Sequence, residues 1–259
     1  GLVDEAEKTL GVKGTVGIGA PGAVSRISGR IKNSNTVCLN DKPLKEDFEA
    51  RLGREVRIAN DANCFVLSEA VDGAGKGAGV VFGVILGTGV GGGIVVDGRV
   101  IEGANAIAGE WGHNPLPSPG EADTPVRSCY CGRKSCVETW LSGPGFTADH
   151  LSRLPPAECN AAWDATRIAR LADAGDSAAQ WSIALYAGRL ARSIATVINI
   201  LDPEVIVLGG GMSNVKALYT LLPGLLRPHV FSDHVVTRIV KNTHGDSSGV
   251  RGAAWLWQA

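Results

Sequence analysis

The chain has 259 residues, 44% of them hydrophobic and 20% charged, enough to bury one large core or two medium ones in the manner of an ordinary soluble protein. A formal net charge of -1 argues against a nucleic-acid surface as the main feature. The longest apolar run, Val80 to Leu86, is strand-sized and broken by Gly83, so no membrane span is expected.

In chain order, Leu2 to Leu10 carries a helical pattern, and a chain that opens on it without a methionine reads as the middle of a domain. Gly14 to Ala20 is a glycine-rich strand ending in the turn Pro21-Gly22. Val24 to Ile31 suggests a hairpin next to the polar loop Asn33-Ser34-Asn35-Thr36. Pro43 to Leu52 has helical spacing, with Leu44, Phe48 and Leu52 on one face. Glu55 to Ala59 alternates as a strand does, and Asn60-Asp61-Ala62-Asn63 caps a helix running to Ala70. Gly77 to Gly79 is a candidate hinge. Strands follow at Val80–Leu86 and Gly92–Val96, joined through Gly87-Thr88-Gly89 and closed by Asp97-Gly98. Helices are expected near Val137–Leu141, Ala162–Ala172 and Ala178–Leu201, then a strand at Val205–Leu208 that empties into Gly209-Gly210-Gly211. A helix near Val215–Leu226, a strand at Val235–Val240 and a last helix from Ser248 complete an α/β alternation.

Four residues have metal-ligand spacing. Cys129, Cys131 and Cys136 put three thiols on one short loop, and His113 adds an imidazole, which together satisfy a closed tetrahedral zinc shell of the structural kind. The competing readings are plain buried cysteines or a disulfide, but a Cys-x-Cys pair is awkward for an internal bridge. Cys38, Cys64 and Cys159 are scattered, which fits a reducing compartment, the cytoplasm. Asp61 sits where a strand meets a helix, a place where α/β folds expose reactive side chains, and its carboxylate can take a proton from an attacking hydroxyl. As an isolated residue it reads more readily as a helix cap, and the catalytic reading gains only when the other motifs are added. The hairpin around Thr88 offers N–H groups and a hydroxyl to phosphate, although neither a Gly-Lys-Ser/Thr loop nor a following helix accompanies it, and a flexible glycine turn is the alternative. Glu110 and His113 are one helical turn apart, and Glu138 follows a thiol of the loop; two such carboxylates can accept hydrogen bonds from adjacent sugar hydroxyls. Each Glu alone reads as a surface charge.

Together these motifs resemble the ROK family of repressors, open reading frames and kinases over nearly the whole chain. The likeness rests on Asn60 to Asn63, Gly87 to Gly93, Gly109 to His113 and Cys129 to Glu138. Within the family, Asn33 to Asn40, Gly109 to Pro117 and His244 to Trp257 are most similar to bacterial fructokinases of the manno(fructo)kinase type. The resemblance implies an actin-like (ribonuclease H-like) fold with a smaller lobe of residues 1–76 plus helix 248–259 and a larger lobe of residues 77–247 bearing the zinc loop. It implies Asp61 as catalytic base and Asn35, Asn60, Glu110, His113 and Glu138 at the sugar, with His113 also a zinc ligand. Thr88 and Gly89 would meet ATP phosphates, and Gly209, Gly210 and Gly211 the nucleoside. ATP, Mg2+ and a structural Zn2+ are the expected cofactors, and a homodimer the expected assembly.

Two departures stand out. Ser135 replaces the glycine usual before the last zinc cysteine, so the turn there is expected to be strained. An Asp-x-Gly-Gly-Thr phosphate loop is missing, so the expectation is a fragment short of its first strands and weakly active alone. The expected reaction is transfer from ATP to the 6-hydroxyl of fructose, with mannose and glucose next. The alternatives are a sugar-sensing repressor of the same family and a zinc-stabilised interaction domain with a dead site.

Overall fold

A computed structural model describes residues 1–258. Helix α1 (Leu2–Leu10) stops at Gly11, whose φ of 71° is left-handed, and leads into strand β1 (Val16–Ala20). The short strands β2 (Ala23–Val24) and β3 (Ile31–Lys32) pair antiparallel as the expected hairpin. Helix α2 (Leu44–Leu52) follows, then β4 (Val56–Asn60), which pairs with β1 in parallel so that Ala20 lies beside Asn60. From β4 the chain passes straight into α3 (Asp61–Val71).

A second sheet has five strands. It begins with β5 (Val80–Leu86), β6 (Val90–Val96) and β7 (Arg99–Val100), all antiparallel neighbours. After the loop segment come α4 (Glu138–Leu141), α5 (Gly143–Leu151), α6 (Ala165–Asp173) and the long α7 (Ser177–Leu201). Then β8 (Val205–Gly209) joins β5 in parallel, α8 (Ala217–Leu226) crosses, and β9 (Arg238–Lys241) adds to β8, giving the order β7-β6-β5-β8-β9. The chain ends in α9 (Ser248–Trp255).

Side chains alternate across a strand, so this sheet buries two faces. Phe82, Val84, Leu86, Ile206 and Leu208 share one core with Ile183, Tyr186, Leu190 and Ile194 of α7. Val81, Val95, Val205 and Val207 share the other with Phe65, Val66 and Leu67 of α3. α3 therefore underlies the five-stranded sheet while leading out of the two-stranded one. α9 packs against α3 and β1, and it approaches so closely that a Cβ on Gly252 would drive into the Cys64 carbonyl.

The structure corrects some expected bounds. The strand expected from Val235 begins only at Arg238, and the helix expected from Ala162 begins at Ala165, after Asp164 caps it. Helix α5 was not expected at all. Its opening Gly143-Pro144-Gly145 reads as a turn, yet Ser142 accepts the Gly145 N–H and Pro144 fits the first helical turn, where its missing N–H costs nothing.

Candidate active site

The base of the site is the junction of β4 and α3. Asn60 caps α3: its Oδ1 accepts the Ala62 N–H at 2.9 Å, and its Nδ2 donates to the Gly22 carbonyl at 2.9 Å, tying the junction to the turn after β1. Asp61 Oδ1 accepts from the same Ala62 N–H at 2.9 Å. Asp61 is exposed as a residue, but the protein around its carboxylate is dense enough that burial raises its pKa above the usual range, against the pull of the backbone hydrogen bonds. Burial also raises Glu110; His113 pulls it back, and the charges of Asp61 and Glu138 push it further up. Asp61 and Glu138, both separate from Glu110 in sequence, thus lie near enough for their charges to act on it.

Glu110 precedes a short 3-10 turn, Trp111–His113, rather than an α-helical one. Trp111 anchors this turn: it is buried, donates from Nε1 to the Gly91 carbonyl at 3.0 Å, and meets Phe82 edge-on. His113 is thereby brought to the thiol loop. The donor atoms of His113, Cys129, Cys131 and Cys136 all lie within 4.8 Å of one another. Cys129 Sγ is 3.7 Å from His113 Nδ1 and Cys131 Sγ is 3.6 Å from Cys136 Sγ. Zinc–sulfur bonds of ~2.3 Å in a tetrahedron set neighbouring sulfurs about 3.8 Å apart, so the set fits zinc.

The loop has its own support. Cys129 and Gly132 are held by backbone bonds to Arg133 and Cys129, at 2.9 and 3.0 Å. Burial raises the Cys131 thiol, but hydrogen bonds from the Arg133 backbone and the neighbouring thiol of Cys129 outweigh it and bring the group down to about 6, toward the thiolate a metal needs. Ser135 has a φ of 48°, the left-handed strain foreseen where glycine is usual.

Glu138 joins this loop to the Gly87-Thr88-Gly89 turn. Its Oε2 accepts the Val90 N–H at 3.0 Å, at the far side of Gly87-Thr88-Gly89. A Cβ on Gly89 would lie 2.7 Å from that oxygen, so glycine is needed for the approach. Thr88 is exposed at the tip. Ile85 pairs with Gly209, which puts this turn and the Gly209-Gly210-Gly211 loop at the same end of adjacent strands. Ligands of open α/β sheets bind at such strand ends.

Sequence reasoning missed what lies beneath. Arg189 is 1% exposed and bonds Asp123 and Asp149 at 2.7 and 2.6 Å. Arg127, just ahead of the thiol loop, bonds Asp149 at 2.9 Å and the carbonyls of Thr139 and Gly145. Both guanidiniums lie over the Trp140 ring, Arg127 at 3.7 Å and Arg189 at 4.4 Å from its centroid. No local sequence pattern signals such a network. Asn35 is exposed on its loop, which Ser34 and Asn40 tie together by mutual hydrogen bonds.

Comparison with known proteins decides the family. The model of the ROK family matches residues 1–259. The chain belongs to the ROK family. An N-acetyl-D-glucosamine kinase from Shigella flexneri is 42% identical to this ROK protein over 261 residues, covering 98% of this chain and 84% of the relative. The ROK hexokinase from Thermus thermophilus is 29% identical, with a TM-score of 0.81 over 97% of this chain and 81% of that one. A ROK family glucokinase from Streptomyces griseus, solved with glucose and AMPPNP, is 25% identical, with a TM-score of 0.80 over 100% of this chain and 88% of that one. The fold is therefore the α/β, actin-like one of ROK sugar kinases. Among the described residues no helix is long and apolar enough to cross a membrane.

Proposed function

We propose that this ROK family sugar kinase transfers the γ-phosphoryl group of Mg-ATP to the 6-hydroxyl of N-acetylglucosamine, in preference to fructose. The observation that carries the reaction is the convergence of Asp61, Glu110 and Glu138 beside the Gly87-Thr88-Gly89 turn. The observation that moves the acceptor from fructose to an N-acyl hexosamine is the 42% identity to N-acetyl-D-glucosamine kinases.

In this reading Asp61 is the base. Its raised pKa brings its proton affinity closer to that of its task, and it draws the proton from the 6-hydroxyl as that oxygen attacks in line. Asn60, Glu110, Glu138 and His113 position the sugar, and Asn35 reaches it only if its loop folds inward. Thr88 and Gly89 contact the phosphates, and Gly209 to Gly211 the nucleoside. Magnesium bound with ATP supplies charge neutralisation on the phosphates. His113, Cys129, Cys131 and Cys136 hold zinc as a structural tie that fixes Glu138 and His113 in place. Closure of residues 1–76 and 248–259 toward residues 77–247 excludes water, so that the sugar receives the phosphate. Catalysis of this type is mostly positioning and charge stabilisation.

The test is ADP release from Mg-ATP by the full-length protein with N-acetylglucosamine, glucose, mannose and fructose. Fastest turnover on N-acetylglucosamine, lost in Asp61→Ala with an unchanged circular-dichroism spectrum, supports the reading. Fastest turnover on fructose returns the acceptor to that sugar. Sugar binding without turnover on any acceptor overturns the kinase and favours a sensor.

A further inference from the structure

A cavity lies beside Asn60, the residue at the β4–α3 junction that the reading above places at the sugar. Its volume of about 50 Å³ is room for several water molecules. Ala23 of β2, Ile31 of β3 and Ile58 of β4 give it apolar walls, and Asn60 and Asn63 bring amides. Asp61 is not among its lining residues, so the part of a sugar that enters it is not the 6-hydroxyl.

Asn63 is the unexplained member of that lining. It sits in the first turn of α3 and is only 8% exposed. Among the described residues its carboxamide makes no hydrogen bond, and Oδ1 is buried without a partner. Oδ1 is turned toward β6, where a Cβ on Gly93 would lie 3.0 Å from it. The NH2 at the other end of the amide is the half left for the cavity, a donor without an acceptor in the protein. A buried amide with no partner is costly to keep, and leucine has nearly its shape without that cost. An acceptor supplied by a ligand accounts for its presence. The loop after β7 adds Glu102 and Ala106 to the lining. That loop is tied to the β2–β3 hairpin: Arg26 meets Glu102 at 3.2 Å, and Lys32 donates to the Asn105 carbonyl at 2.8 Å. The cavity is thus framed by segments that hold one another.

A 2-acylamino group matches both features of the cavity. Its carbonyl oxygen is an acceptor only, and its methyl is apolar. We propose that the cavity is the subsite for the acyl group of a 2-acylamino sugar: Asn63 donates from Nδ2 to the acyl carbonyl oxygen, and Ala23, Ile31 and Ile58 enclose the methyl. The inference rests on the N-acyl hexosamine reading above. Nothing covalent changes. Discrimination arises because a plain hexose fills neither the apolar space nor the vacant donor.

Two variants test it from different sides. Ala23→Leu fills the cavity from a half-buried position on a short strand, and Asn63→Leu removes the donor while keeping the shape. Calorimetric affinity and kcat/KM are measured for each with N-acetylglucosamine, glucosamine and glucose, alongside the melting temperature. In both variants the preference for N-acetylglucosamine over glucose should fall by about tenfold or more, and glucosamine, which lacks the acyl group, should follow glucose. The melting temperature of Asn63→Leu should not drop, because no hydrogen bond within the protein is lost. Equal losses on all three sugars, or an unchanged preference, would overturn the proposal. If Asn63→Leu does not fold, Ala23→Leu decides alone by the same ratio. A wild-type enzyme that neither binds nor turns over N-acetylglucosamine would instead overturn the acceptor reading, and the acyl subsite with it.

Discussion

Asp61 carries two demands that oppose each other. As a base it benefits from a raised pKa, but the raised value means that the folded protein holds its proton more tightly than the unfolded chain does. The sign follows. Ionising Asp61 costs native stability, beginning as pH rises through the unfolded value, about 3.9, and in full above the higher native value. Asp61→Asn removes that cost while keeping the shape and the acceptor for the Ala62 N–H. It should therefore raise the melting temperature at pH 7 by about 2 °C and lower kcat by about 10²- to 10⁴-fold. The stability gain should shrink toward zero as pH falls to about 4. Scanning fluorimetry across that range checks it, and a variant less stable than wild type at pH 7 would refute the argument. Asp61, Glu110 and the metal-ligand set were legible in the sequence because each depends on a residue type at a short spacing or a strand-to-helix junction. The Glu138 bond to Val90 was not, its partners being 48 positions apart.

At the scale of elements, the thiol loop and α4 rest on charges that local patterns do not announce. The strands of the five-stranded sheet were readable because their apolar runs are bounded by glycine turns. The ion network was not, because Asp123, Arg127, Asp149 and Arg189 come from four separate stretches. Hydrogen bonds from Arg153 and Arg189 hold the Asp149 carboxyl below the usual carboxylate range despite its burial, which acts the other way. Such a network stabilises only while complete, because one missing partner strands a buried charge. Arg189→Met should cost about 3–5 kcal/mol, since Asp123 and Asp149 both lose a guanidinium inside the protein. Urea unfolding followed by tryptophan fluorescence measures this. The same substitution should weaken retention of a metal by the loop, because Trp140 loses one of the two guanidiniums that fix α4 behind it. A loss below about 1 kcal/mol would mean that Arg127, Arg153 and Arg192 suffice to satisfy both aspartates.

For the molecule as a whole, the decisive joint is where the chain passes between the β1-β4 pair and the five-stranded sheet. It does so once after α3 and once between β9 and α9, and Glu69 holds both passages. This fully buried carboxylate accepts the N–H groups of Ala74, Thr243 and His244 at 2.9, 3.0 and 3.2 Å, and the Ser248 hydroxyl at 2.8 Å. Asp72, one turn on, binds His244 at 2.9 Å and also Arg251. If the two halves close over substrate as proposed, this joint is the point about which they turn. Burial would raise the Glu69 pKa, but its four donors outweigh that and hold it below the usual range. The folded protein thus prefers the ionised form, so this stabilisation is complete above the unfolded value of about 4.3 and is lost as pH falls through the lower native value. Glu69→Gln keeps the shape but turns an amide NH2 toward backbone donors that then have no acceptor. It should cost about 2–3 kcal/mol at pH 7. The gap from wild type should narrow as acid protonates Glu69 in the wild type, so urea midpoints at pH 7 and pH 4 form the test. A gap that is absent at pH 7 would show that the joint does not depend on this charge, and one that widens on acidification would contradict the direction of the shift.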